Sequence, residues 1–227
     1  MKRIRLENIS KQYGQGQTAV LAVQDITSEI RAGEFVSIMG ESGSGKSTLL
    51  SLIGGLNTPT SGKYRVDELD VYALGQDRRA DFRRENLGFV FQSFQLIPYL
   101  SVLENVMLPL TTKKIPRRKK RDMAGQALAQ VGLERKEGRL PNQISGGEQE
   151  RVAIARAVVN DPPILLADEP TGNLDTRNSK EMMSLIQSLN RRGKTVIMVT
   201  HSPEWARYAH RILWISDGLL IKEELVH

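Results

Sequence analysis

The sequence contains Phe35-Val-Ser-Ile-Met39, followed directly by Gly40-Glu41-Ser42-Gly43-Ser44-Gly45-Lys46-Ser47-Thr48, and this segment indicates the class of fold. The short apolar run at its start predicts a strand buried in a sheet. The residues after the glycines, Ser47 to Ile53, predict a helix that ends at Gly54 and Gly55. A buried strand, a glycine-rich turn and a helix in this order are typical of an α/β fold.

The glycine-rich turn has the spacing G-x-x-x-x-G-K-[ST], which predicts a phosphate-binding loop. Its glycines let the backbone curl until several N–H groups point at the same phosphate oxygens, and the following helix directs its N-terminus at that anion. Lys46 adds a positive charge for the β- and γ-phosphates, and the Ser47 hydroxyl is a candidate ligand of Mg²⁺. A merely flexible turn is the alternative, and the position between a strand and a helix argues against it.

A second apolar strand, Ile164 to Ala167, ends in the acids Asp168 and Glu169. Ligands of α/β sheets bind in the crevice at the carboxyl ends of the strands, so Asp168 is a candidate ligand of Mg²⁺, directly or through water. Glu169 is then placed to orient or deprotonate a water that attacks the γ-phosphate. Paired acids at a strand end are also found as surface groups or helix N-caps, but the phosphate-binding loop upstream favours the catalytic interpretation.

His201 follows the strand predicted over Thr195 to Thr200, which places it on the same rim of the sheet. A single histidine is more often structural than catalytic. Its position also allows contact with the γ-phosphate, and the sequence leaves both interpretations open.

The chain as a whole predicts a single domain over residues 1–227. Residues 1–93 and 142–227 predict an α/β core with a mainly parallel sheet, together with an N-terminal antiparallel β subdomain that includes Val23 to Ile30. Residues from about 94 to 141 are mainly helical and predict a helical subdomain inserted into that core. Within it, Ser101 to Glu104 has the spacing of a capping box, and Arg117 to Val131 predicts a second helix.

A second candidate anion site lies at Ser145-Gly146-Gly147-Glu148-Gln149, which opens a helix that runs to Val159. The N–H groups at a helix N-terminus favour an anion. Because Lys46 already has a phosphate-binding loop of its own, the simplest interpretation is that this second site serves a nucleotide bound to another subunit.

Over almost its whole length the chain resembles the ABC ATPases, because the motifs of that family appear here in the family's order. These are the phosphate-binding loop at Gly40 to Thr48, a glutamine loop at Gln92, the signature at Ser145 to Gln149, the acidic strand end at Asp168 and Glu169, the dimer-contacting loop Asn173-Leu174-Asp175, and the switch His201. The resemblance implies a P-loop NTPase core in a homodimer whose two subunits sandwich two ATP molecules with Mg²⁺.

The resemblance also implies roles for individual residues. Tyr13 matches the aromatic residue that stacks on adenine, and Gln92 would contact Mg²⁺ or the attacking water. Ser145, Gly146 and Gly147 of one subunit would cap the γ-phosphate held by Lys46 of the other. Catalysis would then depend on four side chains, Glu169, His201, Gln92 and Lys46, and Mg²⁺ on three, Ser47, Gln92 and Asp168.

Glu148 departs from the family pattern, in which the signature usually ends Gly-Gly-Gln. A carboxylate that faces bound nucleotide is repelled by phosphate unless it is paired or turned toward the ribose. We therefore expect a modest weakening of ATP-driven dimerisation.

Two further stretches, Val90 to Pro98 and Ala167 to Asp175, look most like one subgroup, the lipoprotein-release, macrolide-export and cell-division ATPases. This resemblance implies a cytoplasmic protein on the inner face of the cell membrane, held there by a permease that has few transmembrane helices and a large extracytoplasmic domain. The output would be export or extraction of a lipoprotein, peptide or drug-like substrate. The alternative is signalling through a membrane partner to an extracytoplasmic enzyme, without transport.

The glutamine loop continues into four apolar residues, Phe94, Leu96, Ile97 and Tyr99. They are predicted either to pack the core of the helical subdomain or to form an apolar groove that receives a short cytoplasmic helix of the permease.

Composition narrows the possible partners. The chain has 227 residues, no cysteine and a formal net charge of +6, so disulfides and zinc-thiolate sites are excluded. No heptad arm of the kind found in chromosome-organising ATPases is present, and no nucleic-acid partner is expected.

The densest basic cluster consists of Lys113, Lys114, Arg117, Arg118, Lys119, Lys120 and Arg121. It is interpreted either as a solvated face or as a surface close to anionic lipid.

Overall fold

The computed structural model describes residues 3–226, so residues 1, 2 and 227 of the predicted domain lie outside the described residues. The strands are β1 (Ile4–Tyr13), β2 (Val20–Ile30), β3 (Phe35–Met39), β4 (Ser61–Val66), β5 (Leu69–Asp70), β6 (Leu87–Phe91), β7 (Ile164–Asp168), β8 (Thr195–Val199), β9 (Arg211–Ser216) and β10 (Leu219–Leu225). The helices are α1 (Lys46–Ile53), α2 (Gln76–Asn86), α3 (Val102–Met107), α4 (Arg117–Gln130), α5 (Gly146–Val158), α6 (Thr176–Arg191) and α7 (Pro203–Ala206).

The larger sheet has six strands in the order β10-β9-β3-β8-β7-β6. All neighbouring strands pair in parallel except β10, which runs antiparallel to β9 at one edge. Successive residues of its central strands enter different hydrophobic clusters: Leu165 and Val196 lie in one, Leu166 and Ile197 in the other. Both faces are therefore covered, which is why these strands are apolar throughout. The predicted α/β fold is confirmed.

The smaller sheet is antiparallel, with the order β2-β1-β4-β5. Irregular register between β1 and β2 appears after Leu6 and again after Ile9. Three apolar side chains of β1, Ile4, Leu6 and Ile9, pack in the same cluster as Leu49 and Ile53 of α1. This sheet therefore supports the helix that follows the phosphate-binding loop.

Helices α3, α4 and α5 pack against one another beside the larger sheet. The predicted capping box is present, because the Ser101 hydroxyl accepts a hydrogen bond from the Glu104 N–H and the Glu104 carboxylate accepts one from the Ser101 N–H. Helix α5 also packs against β6 and α6, so it joins the helical region to the sheet. The division of the chain at residues 94 and 141 stays a prediction. Across residues 3–226, no helix combines the length and apolar character that crossing a bilayer requires.

Glu150, in α5, is an acid inside this packed region. Its residue is 1% exposed, and its Oε1 atom has no hydrogen-bond partner among the described residues. Burial raises the pKa of the Glu150 carboxyl from 4.5 to about 8, because the charged form loses its hydration. The folded protein then keeps a proton that the unfolded chain releases, so the free energy of unfolding falls as the pH rises between these values.

We expect Glu150→Gln to remove this pH dependence. Near pH 4.5 the variant and the parent should have similar free energies of unfolding, and from there to about pH 8 the parent should lose roughly 1.4 kcal/mol per pH unit relative to the variant. Urea unfolding followed by circular dichroism at several pH values measures this difference. Glu68→Gln, at an exposed acid, is the matched control. A constant difference between Glu150→Gln and the parent across the pH range would contradict the assignment.

Candidate functional site

The turn between β3 and α1 closes around Lys46. The ammonium of Lys46, whose residue is only 8% exposed, donates hydrogen bonds to the carbonyl oxygens of Gly40, at 2.8 Å, and Glu41, at 2.5 Å. Gly45 has φ +100°, and a Cβ atom there would collide with the carbonyl of Ala22 in β2, so only glycine fits. Among the residues that the structure describes, no side chain caps the N-terminus of α1. Its first N–H groups therefore face the turn as donors for an anion.

Ser47 and Asp168 meet at the mouth of this turn. The Ser47 hydroxyl donates to Asp168 Oδ1 at 3.1 Å. Burial raises the pKa of the Asp168 carboxyl; the hydrogen bond from Ser47 opposes this and the nearby charge of Glu169 adds to it. A hydroxyl and a carboxylate are hard oxygen ligands of the kind that Mg²⁺ prefers, so these residues fit the ion. No cluster of three or more metal-ligating side chains lies within residues 3–226.

Glu169 and His201 form a second pair on the same rim. His201 Nδ1 lies 2.9 Å from Glu169 Oε1, and the histidine side chain is largely exposed while that of Glu169 is largely buried. Glu169 has φ +47°, a left-handed backbone that is uncommon for a residue with a side chain and is frequent at functional sites. Since β3, β8 and β7 are neighbours, the structure brings Lys46, Asp168, Glu169 and His201 together as the sequence predicts.

Gln92 lies beside this rim, directly after β6. Its carbonyl accepts a hydrogen bond from the Asn173 amide at 2.8 Å, and its side-chain amide lies against Gly172. In the described part of the chain, no hydrogen bond joins Gln92 to Ser47 or Asp168. The role of Gln92 at the metal therefore stays a prediction.

Asp175 forms the N-cap of α6, where its carboxylate accepts hydrogen bonds from the backbone N–H and the side-chain amide of Asn178 at 2.8 and 2.7 Å. Because these bonds favour the charged form, the pKa of Asp175 is lowered. The loop predicted to contact a second subunit is thus anchored at its end.

Tyr13 ends β1, opposite Val20 of β2. Its hydroxyl is hydrogen-bonded to Asn57, and the Lys11 ammonium lies 5.0 Å from the centre of its ring. Ala22, whose carbonyl lies against Gly45, is two residues after Val20 in the chain. Tyr13 therefore lies on the side of the smaller sheet that meets the phosphate-binding loop, and it is 42% exposed.

The Ser145 end of α5 is built as a capping box. The Ser145 hydroxyl accepts from the Glu148 N–H at 3.3 Å, and the Glu148 carboxylate accepts from the Ser145 N–H at 2.9 Å. Lys136 adds an ion pair to Glu148 at 3.3 Å. These contacts lower the pKa of Glu148, and the hydrogen bond from the Ser145 N–H has the largest effect. The predicted repulsion of phosphate requires an unpaired carboxylate, whereas the carboxylate of Glu148 is paired.

This helix tip lies apart from the phosphate-binding loop. Gly147 packs so closely on α6 that a Cβ atom there would collide with the side chain of Asn178, while Ser145 and Gly146 are exposed. Among residues 3–226, no hydrogen bond or ion pair connects Ser145, Gly146, Gly147 or Glu148 with Lys46. The structure places the two predicted anion sites in separate regions of one chain.

Arg156, which the sequence did not single out, connects α5 to the glutamine loop. Its guanidinium donates to the carbonyl oxygens of Phe94 and Gln95, each at 2.6 Å. Both carbonyls belong to residues with a left-handed backbone, at φ +55° and +48°. The only sequence signal is an arginine inside the apolar run Ala153 to Val159. Arg156 thus holds a strained loop in place from the opposite end of the helix that Ser145 caps.

A groove of about 430 Å³ lies beside this contact. Its lining includes Leu56, Phe89, Phe91, Leu108 and Arg156. None of the four apolar residues predicted for such a groove lines it. Leu96 packs against the hydrophobic cluster of the helical region, whereas Tyr99 is 78% exposed. The core interpretation is therefore right for Leu96, and the groove itself is made by residues that are distant in sequence.

Comparison with known proteins agrees with this geometry. A family model described as "ABC transporter" matches residues 23–172. The uncharacterized ABC transporter ATP-binding protein YvrO of Bacillus subtilis is 47% identical over 97% of this chain and 96% of its own length. The macrolide export ATP-binding/permease protein MacB of Rhodopseudomonas palustris is 44% identical over 98% of this chain, which spans 34% of the length of that protein.

Solved structures of MJ0796 from Methanocaldococcus jannaschii share the fold. One, described as the dimeric structure of a bacterial ABC transporter cassette, has a TM-score of 0.91 and 45% identity over 99% of both chains. Another, described as a dimeric post-hydrolysis state bound to ADP and Pi, has a TM-score of 0.90 and 44% identity over 99% of both chains.

We expect Arg156→Ala to loosen the glutamine loop and to lower the kcat of ATP hydrolysis by about tenfold, while the KM stays within about twofold because the phosphate-binding loop is untouched. Arg156→Lys should restore only part of the rate, because an ammonium lacks the planar fork that reaches both carbonyls. Steady-state hydrolysis measures both values, and Arg191→Ala at an exposed arginine is the control. A lower melting temperature with unchanged kcat would assign Arg156 a purely structural role.

Proposed function

The chain belongs to the ABC transporter family as an ATP-hydrolysing, nucleotide-binding cassette, and we propose that two copies enclose two ATP molecules with Mg²⁺, each in a site built from both copies. The observation that carries this proposal is the separation, within one chain, of the two predicted anion-binding ends: the loop around Lys46 and the tip of α5. Each end is half a site, and a twofold dimer would join each to its complement in the partner. The dimers of MJ0796 support this arrangement.

We assign the parts of each site as follows. Tyr13 would stack on adenine, and the loop from Gly40 to Thr48 would hold the phosphates with the charge of Lys46. Ser145, Gly146 and Gly147 of the other copy would close over the γ-phosphate. The Ser145 oxygen accepts a bond from the Glu148 N–H, which leaves the hydroxyl proton free to donate to a phosphate oxygen. Asp175 would lie at the contact between the copies.

Ser47 and Asp168 would hold Mg²⁺, with Gln92 as a third candidate ligand. Bound there, the ion would neutralise charge on the β- and γ-phosphates. A hydroxyl and a carboxylate are already in contact, so the chain supplies two oxygen ligands without rearrangement.

Hydrolysis depends on Glu169. The oxygen of a water forms a bond to the γ-phosphorus, the bond from that phosphorus to the bridging oxygen breaks, and the Glu169 carboxylate takes the proton of the water. In the structure that carboxylate holds His201. We therefore propose that His201 turns from Glu169 to the γ-phosphate when ATP binds, which frees the carboxylate for the water.

The absence of cysteine from the chain allows a direct test of the shared site. Ser42→Cys in one population and Ser145→Cys in another should cross-link through a short bis-maleimide when they are mixed with Mg²⁺ and a non-hydrolysable ATP analogue. The yield should be at least about tenfold lower without nucleotide, since closure depends on ATP.

The doubled mass on a denaturing gel reports the cross-link. Lys63→Cys, at an exposed position of β4, replaces Ser145→Cys in the control mixture and should not react across chains. Equal yields with and without nucleotide, or cross-linking of Lys63→Cys as efficient as that of Ser145→Cys, would contradict a site shared between two copies.

We further propose that the dimer works at the cytoplasmic face of a membrane and drives a permease that carries an extracytoplasmic domain. MacB is named as both an ATP-binding protein and a permease, which supports a membrane partner. Macrolide export by that relative supports an exported or extracted lipoprotein, peptide or drug-like substrate. The groove beside Arg156 is the proposed docking site for a cytoplasmic helix of the permease. Its contact with Arg156 would connect the permease to Gln92 and to the tip of α5.

We expect Leu56→Asn to spare hydrolysis by the isolated cassette and to lower permease-stimulated hydrolysis by at least about fivefold, because Leu56 lines the groove and is 54% exposed. Reconstitution of the cassette with its permease in vesicles measures the stimulation. Leu219→Asn, at a leucine of β10 that is 46% exposed, is the matched control. Equal stimulation of Leu56→Asn and the parent would move the docking site elsewhere.

A further inference from the structure

Seven cations with no intervening acid lie between residues 113 and 121. They are Lys113, Lys114, Arg117, Arg118, Lys119, Lys120 and Arg121, here named the basic segment. Without them the chain would have 25 basic residues against 26 acidic ones, so the basic segment accounts for the whole positive excess of the protein. The charge is concentrated at one place rather than spread over the surface.

The local structure does not explain why seven cations are concentrated in the basic segment. Arg117 begins α4, whose first turn contains no acidic residue and whose N-cap, Pro116, makes no side-chain hydrogen bond. A helix N-terminus already carries partial positive charge, so cations there are unfavourable for the helix. The basic segment therefore works against the stability of α4 and is better explained by a negative partner outside the chain.

The segment is only partly neutralised by the rest of the fold. Arg117 and Arg121 share a small cavity with Glu104 and Glu137, and the Lys120 ammonium donates to the carbonyl of Thr111 at 2.9 Å. Within residues 3–226, the side chains of the other four cations take part in no hydrogen bond or salt bridge. Of these four, Lys114, Arg118 and Lys119 are exposed.

The basic segment also lies next to the proposed docking groove. Thr111 and Thr112 line that groove, and Lys113 follows them directly in the chain. The hydrogen bond from Lys120 to Thr111 holds the first turn of α4 against the same edge. If the groove receives a cytoplasmic helix of a permease, the segment would lie close to the bilayer from which that helix emerges.

We propose that the basic segment binds the headgroups of anionic lipids in the membrane that contains the permease. The position of the segment relative to the bilayer rests on the proposed function, whereas its affinity for a lipid surface does not require the permease. Basic clusters beside a membrane gain favourable attraction from each Lys or Arg near the anionic surface. A single-stranded nucleic acid fits less well, because the chain has no aromatic residue between Tyr99 and Trp205 on which bases would stack.

The test uses the full chain and vesicles without any other protein. We expect it to sediment with vesicles of phosphatidylcholine that contain about one third phosphatidylglycerol, and not with pure phosphatidylcholine. The triple variant Lys114→Gln, Arg118→Gln, Lys119→Gln should bind about one hundredfold more weakly, since each charge near the surface contributes about fivefold. Added salt should weaken binding of the parent.

The matched control is Lys63→Gln, Lys180→Gln, Arg191→Gln, which removes the same charge at exposed positions on β4 and α6. It should bind anionic vesicles within about threefold of the parent. The proposal is overturned if the parent shows no preference for anionic vesicles, or if the two triple variants lose binding equally. It is also overturned if the Lys114, Arg118, Lys119 variant binds vesicles normally but fails to assemble with the permease in detergent, which would identify an acidic protein segment as the partner.

The nucleotide-dependent cross-link between Ser42→Cys and Ser145→Cys distinguishes failure of this inference from failure of the proposed function. A normal cross-link without lipid preference rejects only the lipid site. A lipid preference that depends on the basic segment, in a chain without a nucleotide-dependent cross-link, rejects only the shared nucleotide site.

Discussion

The chemistry of this chain depends on the parallel pairing of three neighbouring strands, β3, β8 and β7. Because they run in the same direction, the turn that holds Lys46, the acids Asp168 and Glu169, and His201 all lie at one edge of the sheet. The smaller sheet and α1 support this edge from one side, and the helices that pack on the opposite face carry the tip of α5 away from it. One sheet therefore positions both the loop around Lys46 and the helix whose tip is proposed to close the site of a partner.

That separation gives Arg156 its importance. Helix α5 begins at the exposed tip with Ser145 and reaches, near its other end, the strained backbone of Phe94 and Gln95. The same arginine lines the groove where a membrane partner is proposed to bind. A displacement at the groove would thus reach the tip through a single helix rather than through a chain of flexible loops.

Much of this architecture could be predicted from the sequence, and the exceptions have physical reasons. The strand Phe35–Met39 is predicted with the bounds that the structure shows, because a continuous apolar run ends at Gly40. The helix predicted from Arg117 to Val131 ends one residue earlier, at Gln130, close to Gly132. Helix α2 was missed because it buries only Phe82 and has no apolar stripe. The groove and the contacts of Arg156 form between segments that are far apart in sequence, so local sequence patterns do not predict them.

The contact between Glu169 and His201 has a consequence for the rate at which the resting chain would hydrolyse ATP. One carboxylate cannot hold an imidazole and activate a water with the same oxygen, so the two occupants compete. While the imidazole holds Oε1, a water at the rim could give its proton only to the other oxygen of the proposed base. If Glu169 is the base, as proposed, the resting chain would hydrolyse ATP slowly until the imidazole moves away from the carboxylate.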